Sequence, residues 1–167
     1  MREAVRALPR RRRALITMGL CTLVLLIWWA MRTPAPPPPP AVPFGPGDTL
    51  SAQVLWVVNG TTIQVALDGG QERIAYLGIE ALGQPATEAN RRLVQGQRIW
   101  LELDVPLRDS EGRLLAYVYM GDLMVNAELV RQGYAQVATV SPPGKYQELF
   151  LRRQREAREA KRGLWAE

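Results

Sequence analysis

Apolar and polar positions alternate through much of the chain beyond residue 49, and turn signals break the alternation at regular intervals. Residues 50–58 (LSAQVLWVV) are rich in β-formers and run into Asn59-Gly60, a two-residue hairpin signal. Residues 61–67 (TTIQVAL) alternate with period two, and Asp68-Gly69-Gly70 turns the chain into a third strand at 73–79. Residues 85–94 begin with proline and continue in good helix formers, which predicts a helix. Residues 98–105 and Leu114–Met120 read as two more strands, separated by Asp109-Ser110-Glu111-Gly112. Val125–Arg131 predicts a short helix stopped by Gly133, and residues 146–162 a longer one stopped by Gly163.

These elements predict an α+β domain over 47–167. It is a five-stranded barrel of the OB type with one inserted helix and two C-terminal helices. What precedes it is different. Residues 14–31 carry no charge, and as a helix they would span roughly 27 Å, near the hydrocarbon thickness of a bilayer. Trp28 and Trp29 stand at the far end, where interfacial aromatics are favoured. Arg10 to Arg13 precede the run, so the expected topology has residues 1–13 cytoplasmic, one transmembrane helix, and the domain extracytoplasmic. A cleaved signal peptide would share the basic start. The long apolar run and the absence of a clean small-residue cleavage site favour an anchor. Residues 32–46 are proline-rich and predict a stiff polyproline spacer.

Charge changes meaning once it is divided along the chain. The net charge is +5, yet seven arginines and a single acid precede Pro34, so the basic excess belongs to the N-terminal segment. The domain is near neutral, and long-range attraction for a polyanion is weak. The chain has no histidine and a single cysteine, Cys21. That removes His-dependent nucleophile systems, Cys-based zinc sites and any intrachain disulfide.

Several ordered blocks then resemble one family. Val57-Val58-Asn59-Gly60-Thr61-Thr62 is similar to the V-x-D-G-D-T hairpin of the thermonuclease family, and Leu77-Gly78-Ile79-Glu80-Ala81 to its G-I-D-A-P-E. Residues 111–119 (EGRLLAYVY) resemble Y-G-R-L-L-A-Y-V-Y almost letter for letter. Residues 125–135 and Gly163-Leu164-Trp165 resemble later blocks. The resemblance to staphylococcal nuclease runs from about residue 50 to 165 and implies a phosphodiester-cleaving scaffold. In that scaffold one Ca²⁺, two arginines and a glutamate form the site.

Carried over position by position, the site is degenerate. The hairpin aspartates fall at Asn59 and Thr61, and the second metal aspartate falls at Glu80, which keeps a carboxylate. The first arginine falls at Ala75, the proposed base at Gly83, and the tyrosines that pack on a nucleotide at Thr139 and Ser141. Arg113 alone matches the second arginine. Losing a base and an arginine removes effects worth about 10²–10⁴ and about 10³–10⁵ in rate in other systems.

The resemblance therefore implies an inactive relative acting as an interaction module for a protein or envelope partner, with no cofactor. A Ca²⁺-dependent nuclease on DNA or RNA outside the membrane is the alternative, and nucleic-acid binding without cleavage a third. Arg73 is a candidate substitute arginine or a surface residue pairing with Glu72. Arg113 is either an anion ligand or a structural arginine bonding turn carbonyls or Glu80. The basic residues of the last helix (Arg152, Arg153, Arg155, Arg158, Lys161, Arg162) interleave with Glu148, Glu156 and Glu159. That spacing predicts a solvated helix laced with ion pairs. Trp56, Trp100 and Trp165 are expected in the core or at the barrel closure.

Overall fold

In the computed structural model, the described residues are 44–81, 83–138 and 144–166. The expected cytoplasmic segment, the transmembrane helix at 14–31, most of the linker, and Thr139 and Ser141 lie outside them. Among the described residues no helix is long and apolar enough to cross a membrane.

The strands are β1 (Thr49–Asn59), β2 (Thr62–Leu67), β3 (Gly70–Tyr76), β4 (Ile79–Ala81), β5 (Arg98–Arg108), β6 (Leu114–Met120), β7 (Leu123–Met124) and β8 (Ala135–Val137). The helices are α1 (Gly83–Val94), α2 (Val125–Arg131) and α3 (Gln147–Glu159), followed by a 3₁₀ turn at Gly163–Trp165. One sheet runs in the order β3-β2-β1-β5-β6-β7, and a parallel pairing of β3 with β6 closes its first five strands into a barrel. Closure removes the free edges that an open meander would expose. The barrel and three helices agree with the α+β architecture expected from the alternation.

Alternation fills the barrel. Ile63 and Val65 from β2, Ile74 from β3, Ile99, Leu101 and Leu103 from β5, and Leu114, Ala116 and Val118 from β6 are all buried. Every buried core side chain among the described residues falls between Ala52 and Ala157.

Three expectations need correction. The third strand does not continue to residue 79. It stops at Tyr76, and Gly78 takes φ +76°, a left-handed turn that glycine adopts without a Cβ clash. Residues 79–81 then leave the barrel and pair with β8. Trp56 is not core, and the cause is a register irregularity in β1 between Val54 and Trp56. Ala52 and Val54 point inward, the irregularity shifts the phase by one, and Val57 takes the inward position while Trp56 is 48% exposed. Trp100 is also outside, 47% exposed, because its strand buries Ile99 and Leu101 on either side. The last helix ends at Glu159, not 162, and Lys161 adopts φ +47° as the chain turns away.

Candidate functional site

A cleft of about 640 Å³ opens where the β1–β2 turn, β3, β4 and the β5–β6 turn meet. Thr61 lies at the first of these, Ala75 on β3, Glu80 on β4, and Asp109 and Arg113 at the β5–β6 turn. Leu77, Val105, Pro106 and Leu115 supply apolar wall. Four positions far apart in sequence, Thr61, Ala75, Glu80 and Arg113, are thereby brought to one cavity. Gly83 starts α1 and Asn59 ends β1, and neither lines the cleft.

Two buried asparagines hold the cleft walls. Asn90 on α1 accepts the Tyr76 hydroxyl at 2.9 Å and donates to the Asn59 carbonyl at 3.0 Å, tying the helix to β3 and the hairpin. Burial pushes the Tyr76 hydroxyl pKa well above its ordinary value, so it remains a donor. Asn126 on α2 accepts the Val118 N–H at 2.9 Å and donates to the Leu77 carbonyl at 3.0 Å, which fixes the β3–β4 turn against β6. Sequence reasoning missed both. The available signal was a polar amide set among apolar residues inside a helix, where Asn is a poor former.

Asn59 keeps a local role. Its side-chain Oδ1 accepts the Thr61 N–H at 2.9 Å and shapes the hairpin turn.

Asp109 decides the electrostatics, and the sequence reading placed it only in a turn. Its Oδ1 accepts the N–H groups of Glu111 at 2.9 Å and Arg113 at 3.0 Å, and its Oδ2 accepts Arg113 Nε at 2.7 Å. Burial would raise the Asp109 pKa. The bonds from Arg113 and the two N–H groups outweigh it and hold the carboxyl below its usual range. Arg113 also approaches Glu111 at 3.5 Å. The anticipated Arg113–Glu80 pairing does not form. Glu80 is exposed, and its nearest polar partner is Gln136 Nε2 at 3.5 Å, the outer limit of a hydrogen bond.

Arg73 sits exposed on β3 opposite Gln64 and does not line the cleft. Nor does it pair with Glu72, which Arg108 grips with two bonds of 2.9 and 3.1 Å.

The donor set does not fit a calcium ion. Calcium takes 6–8 oxygens, chiefly from carboxylates. Here Asp109 is committed to Arg113 and the turn amides, Thr61 brings a hydroxyl where a carboxylate is needed, and Glu80 alone is free. Among the described residues no three His, Cys, Asp or Glu side chains converge.

The family model for staphylococcal nuclease homologues matches residues 69–167. The chain belongs to the staphylococcal nuclease family. It is 31% identical over 126 residues to the thermonuclease of Staphylococcus hyicus, covering 68% of this chain and 75% of that protein. It is 31% identical over 121 residues to the thermonuclease of Staphylococcus intermedius, covering 65% and 72%. It is 34% identical over 123 residues to the SPbeta prophage-derived endonuclease YokF of Bacillus subtilis, covering 65% of this chain and 42% of that protein. The domain is thus thermonuclease-like, and what its cleft does depends on the side chains just described.

Proposed function

We propose that this family member is a catalytically inactive interaction module, anchored in a membrane through residues 14–31, with its domain outside the cytoplasm and a protein or envelope component as partner. The observation that carries the loss of activity is the pairing in the cleft. The one arginine left, Arg113, spends its Nε on Asp109, and Ala75 stands where a second arginine is needed. The charged groups lining the cleft are Arg113, Asp109 and Glu80, which sum to one negative charge and disfavour a phosphodiester. By the family resemblance the position of the proposed base falls at Gly83, which carries no titratable side chain. The apolar wall suits a neutral or cationic peptide segment better than a polyanion.

A Ca²⁺-dependent phosphodiesterase is the competing reading, and it is favoured by the shared cleft of Arg113 and Glu80. One assay separates them. The full chain, purified in detergent, is incubated with single-stranded DNA and with RNA in millimolar Ca²⁺, alongside Arg113→Ala. The expected result is no cleavage above the buffer control. Cleavage that needs Ca²⁺ and disappears in Arg113→Ala would overturn the proposal. The anchor has its own check: the full chain should stay with the membrane fraction after alkaline extraction, and release would refute it.

A further inference from the structure

The outer face of α3 is charged unlike the rest of the domain. Residues 145–166 hold seven basic and three acidic side chains, whereas residues 44–138 hold seven basic and eleven acidic. The described domain is neutral as a whole yet polarised, with four positive charges in excess toward its last helix and four negative toward the barrel.

The ion-pair lacing expected from the sequence does not account for this helix. Lys145 pairs with Glu102, and Arg153 pairs with Glu156. Arg152, Arg155 and Lys161 are exposed and make no ion pair among the described residues. Arg158 lies over the Trp165 ring at 4.3 Å, and Arg162 donates to the Arg131 carbonyl at 3.3 Å. Neither pairs with a carboxylate among the described residues.

Position explains the difference. With 3.6 residues per turn, Leu151, Arg152, Arg155, Arg158 and Glu159 fall within an arc of about 120° opposite the buried Phe150 and Ala157. Glu148 shares the arc at the N-terminal end, so the face is not purely basic. Arg153 and Glu156 lie on the flank, where they reach one another. Leu151, 38% exposed, adds an apolar side chain among the arginines.

We infer that this ridge docks on an anionic lipid headgroup surface. A convex helix face with unpaired arginines and an exposed leucine matches a planar anionic surface, where arginines meet phosphates and an apolar side chain reaches the acyl boundary. The domain's polarity adds a torque that turns α3 toward the surface and the acidic barrel away from it. A nucleic acid is the poorer occupant, because this face offers no ring for base stacking: Phe150 is buried and Trp165 is covered by Arg158. The proposal takes the nearness of a membrane from the anchor reading of residues 14–31, and its chemistry from α3 alone.

The test uses residues 44–167, which contain every buried core residue among the described ones, so it does not depend on the anchor. Sedimentation with phosphatidylcholine vesicles, with and without phosphatidylglycerol, is measured at low salt. Binding is expected only with phosphatidylglycerol, and it should fade as salt screens the surface. Each basic residue near such a surface strengthens partitioning by about fivefold, so Arg152→Gln/Arg155→Gln/Lys161→Gln should weaken it by about a hundredfold. Arg91→Gln/Arg92→Gln/Arg98→Gln removes the same charge elsewhere and should change it by less than about fivefold. Circular dichroism confirms that both variants are folded. No phosphatidylglycerol-dependent binding, or equal loss in the two variants, would overturn the proposal. So would tighter binding to a single-stranded oligonucleotide that the α3 variant abolishes, which would make the ridge a nucleic-acid site. Alkaline extraction of the full chain reports on the anchor separately.

Discussion

Asn126→Ala tests whether the cleft is held by a buried amide. Asn126 is fully buried, and its two bonds reach backbone groups on β6 and in the β3–β4 turn, the Val118 N–H and the Leu77 carbonyl. Alanine cannot replace either bond, and the Val118 N–H is buried away from water. Each stranded backbone group costs about 1–3 kcal/mol, so the expected loss is about 4 kcal/mol. A domain of this size has about 5–15 kcal/mol to lose, and its melting temperature should fall by about 10–25 °C. The assay is urea unfolding of residues 44–167 followed by far-UV circular dichroism. Asn126→Asp sharpens it. The carboxylate still accepts from Val118 but faces the Leu77 oxygen, and burial raises its folded pKa above the unfolded value. The protonated acid can donate to Leu77, so the variant's stability is greatest at acid pH and lost as pH rises through the folded pKa. A loss below about 1 kcal/mol for Asn126→Ala, or no pH trend for Asn126→Asp, would refute the account.

Other outcomes follow from single contacts. Burial would raise the Glu102 pKa, but hydrogen bonds from Lys145, Tyr146 and Tyr119 outweigh it and hold the carboxyl below 4.5. Its contribution is therefore present above that pH and lost as pH falls through the lower folded value. Glu102→Gln should be less stable than the parent at neutral pH and show a shallower acid-unfolding slope, measured by fluorescence across pH. Asp109→Asn should release Arg113 and raise the cleft's affinity for inorganic phosphate about tenfold by calorimetry, one charge-assisted bond's worth. Gly133→Ala places a Cβ 2.1 Å from the Arg162 carbonyl oxygen at a φ of +76°. It should cost about 2–4 kcal/mol in urea unfolding and loosen the C-terminal turn first.

The barrel was legible because alternation and turn residues carry it locally. Ile63 and Val65 against Gln64, or Ile99 and Leu101 against Trp100, place themselves by period two alone. What failed was phase and partner. The irregularity in β1 moved Trp56 outward, and nothing in LSAQVLWVV marks where a register shift falls. β4 and β8 are three residues each, too short for a periodic signal, and they exist because their edges meet across the domain. The inward convergence of Thr61, Ala75, Glu80 and Arg113 followed from the family resemblance. The partners of those residues did not, since a carboxylate four residues before Arg113 and one thirty-three residues before it look equally available in sequence.

That choice of partner bears directly on function. A retained arginine in a nuclease-like cleft invites a catalytic reading, yet Arg113 has a sufficient structural reason to be there. The β5–β6 turn closes through Asp109 N–H to the Arg113 carbonyl at 3.1 Å and Gly112 N–H to the Asp109 carbonyl at 3.0 Å. The Asp109 side chain gathers two further N–H groups and the guanidinium. Without Arg113, a partly buried carboxylate loses its only cationic partner among the described residues, a cost of the kind that preserves a residue irrespective of chemistry. Positions with no such second duty tell the other half. By the resemblance, Ala75 and Gly83 fall where the family's arginine and base would be, and neither carries a polar side chain. On the proposed inactive reading, Arg113 is kept because the turn needs it. Survival of Arg113 is therefore explained without turnover. Arg113→Ala should accordingly destabilise the isolated domain by about 1–3 kcal/mol in urea unfolding. An unchanged midpoint would return Arg113 to the list of residues kept for chemistry.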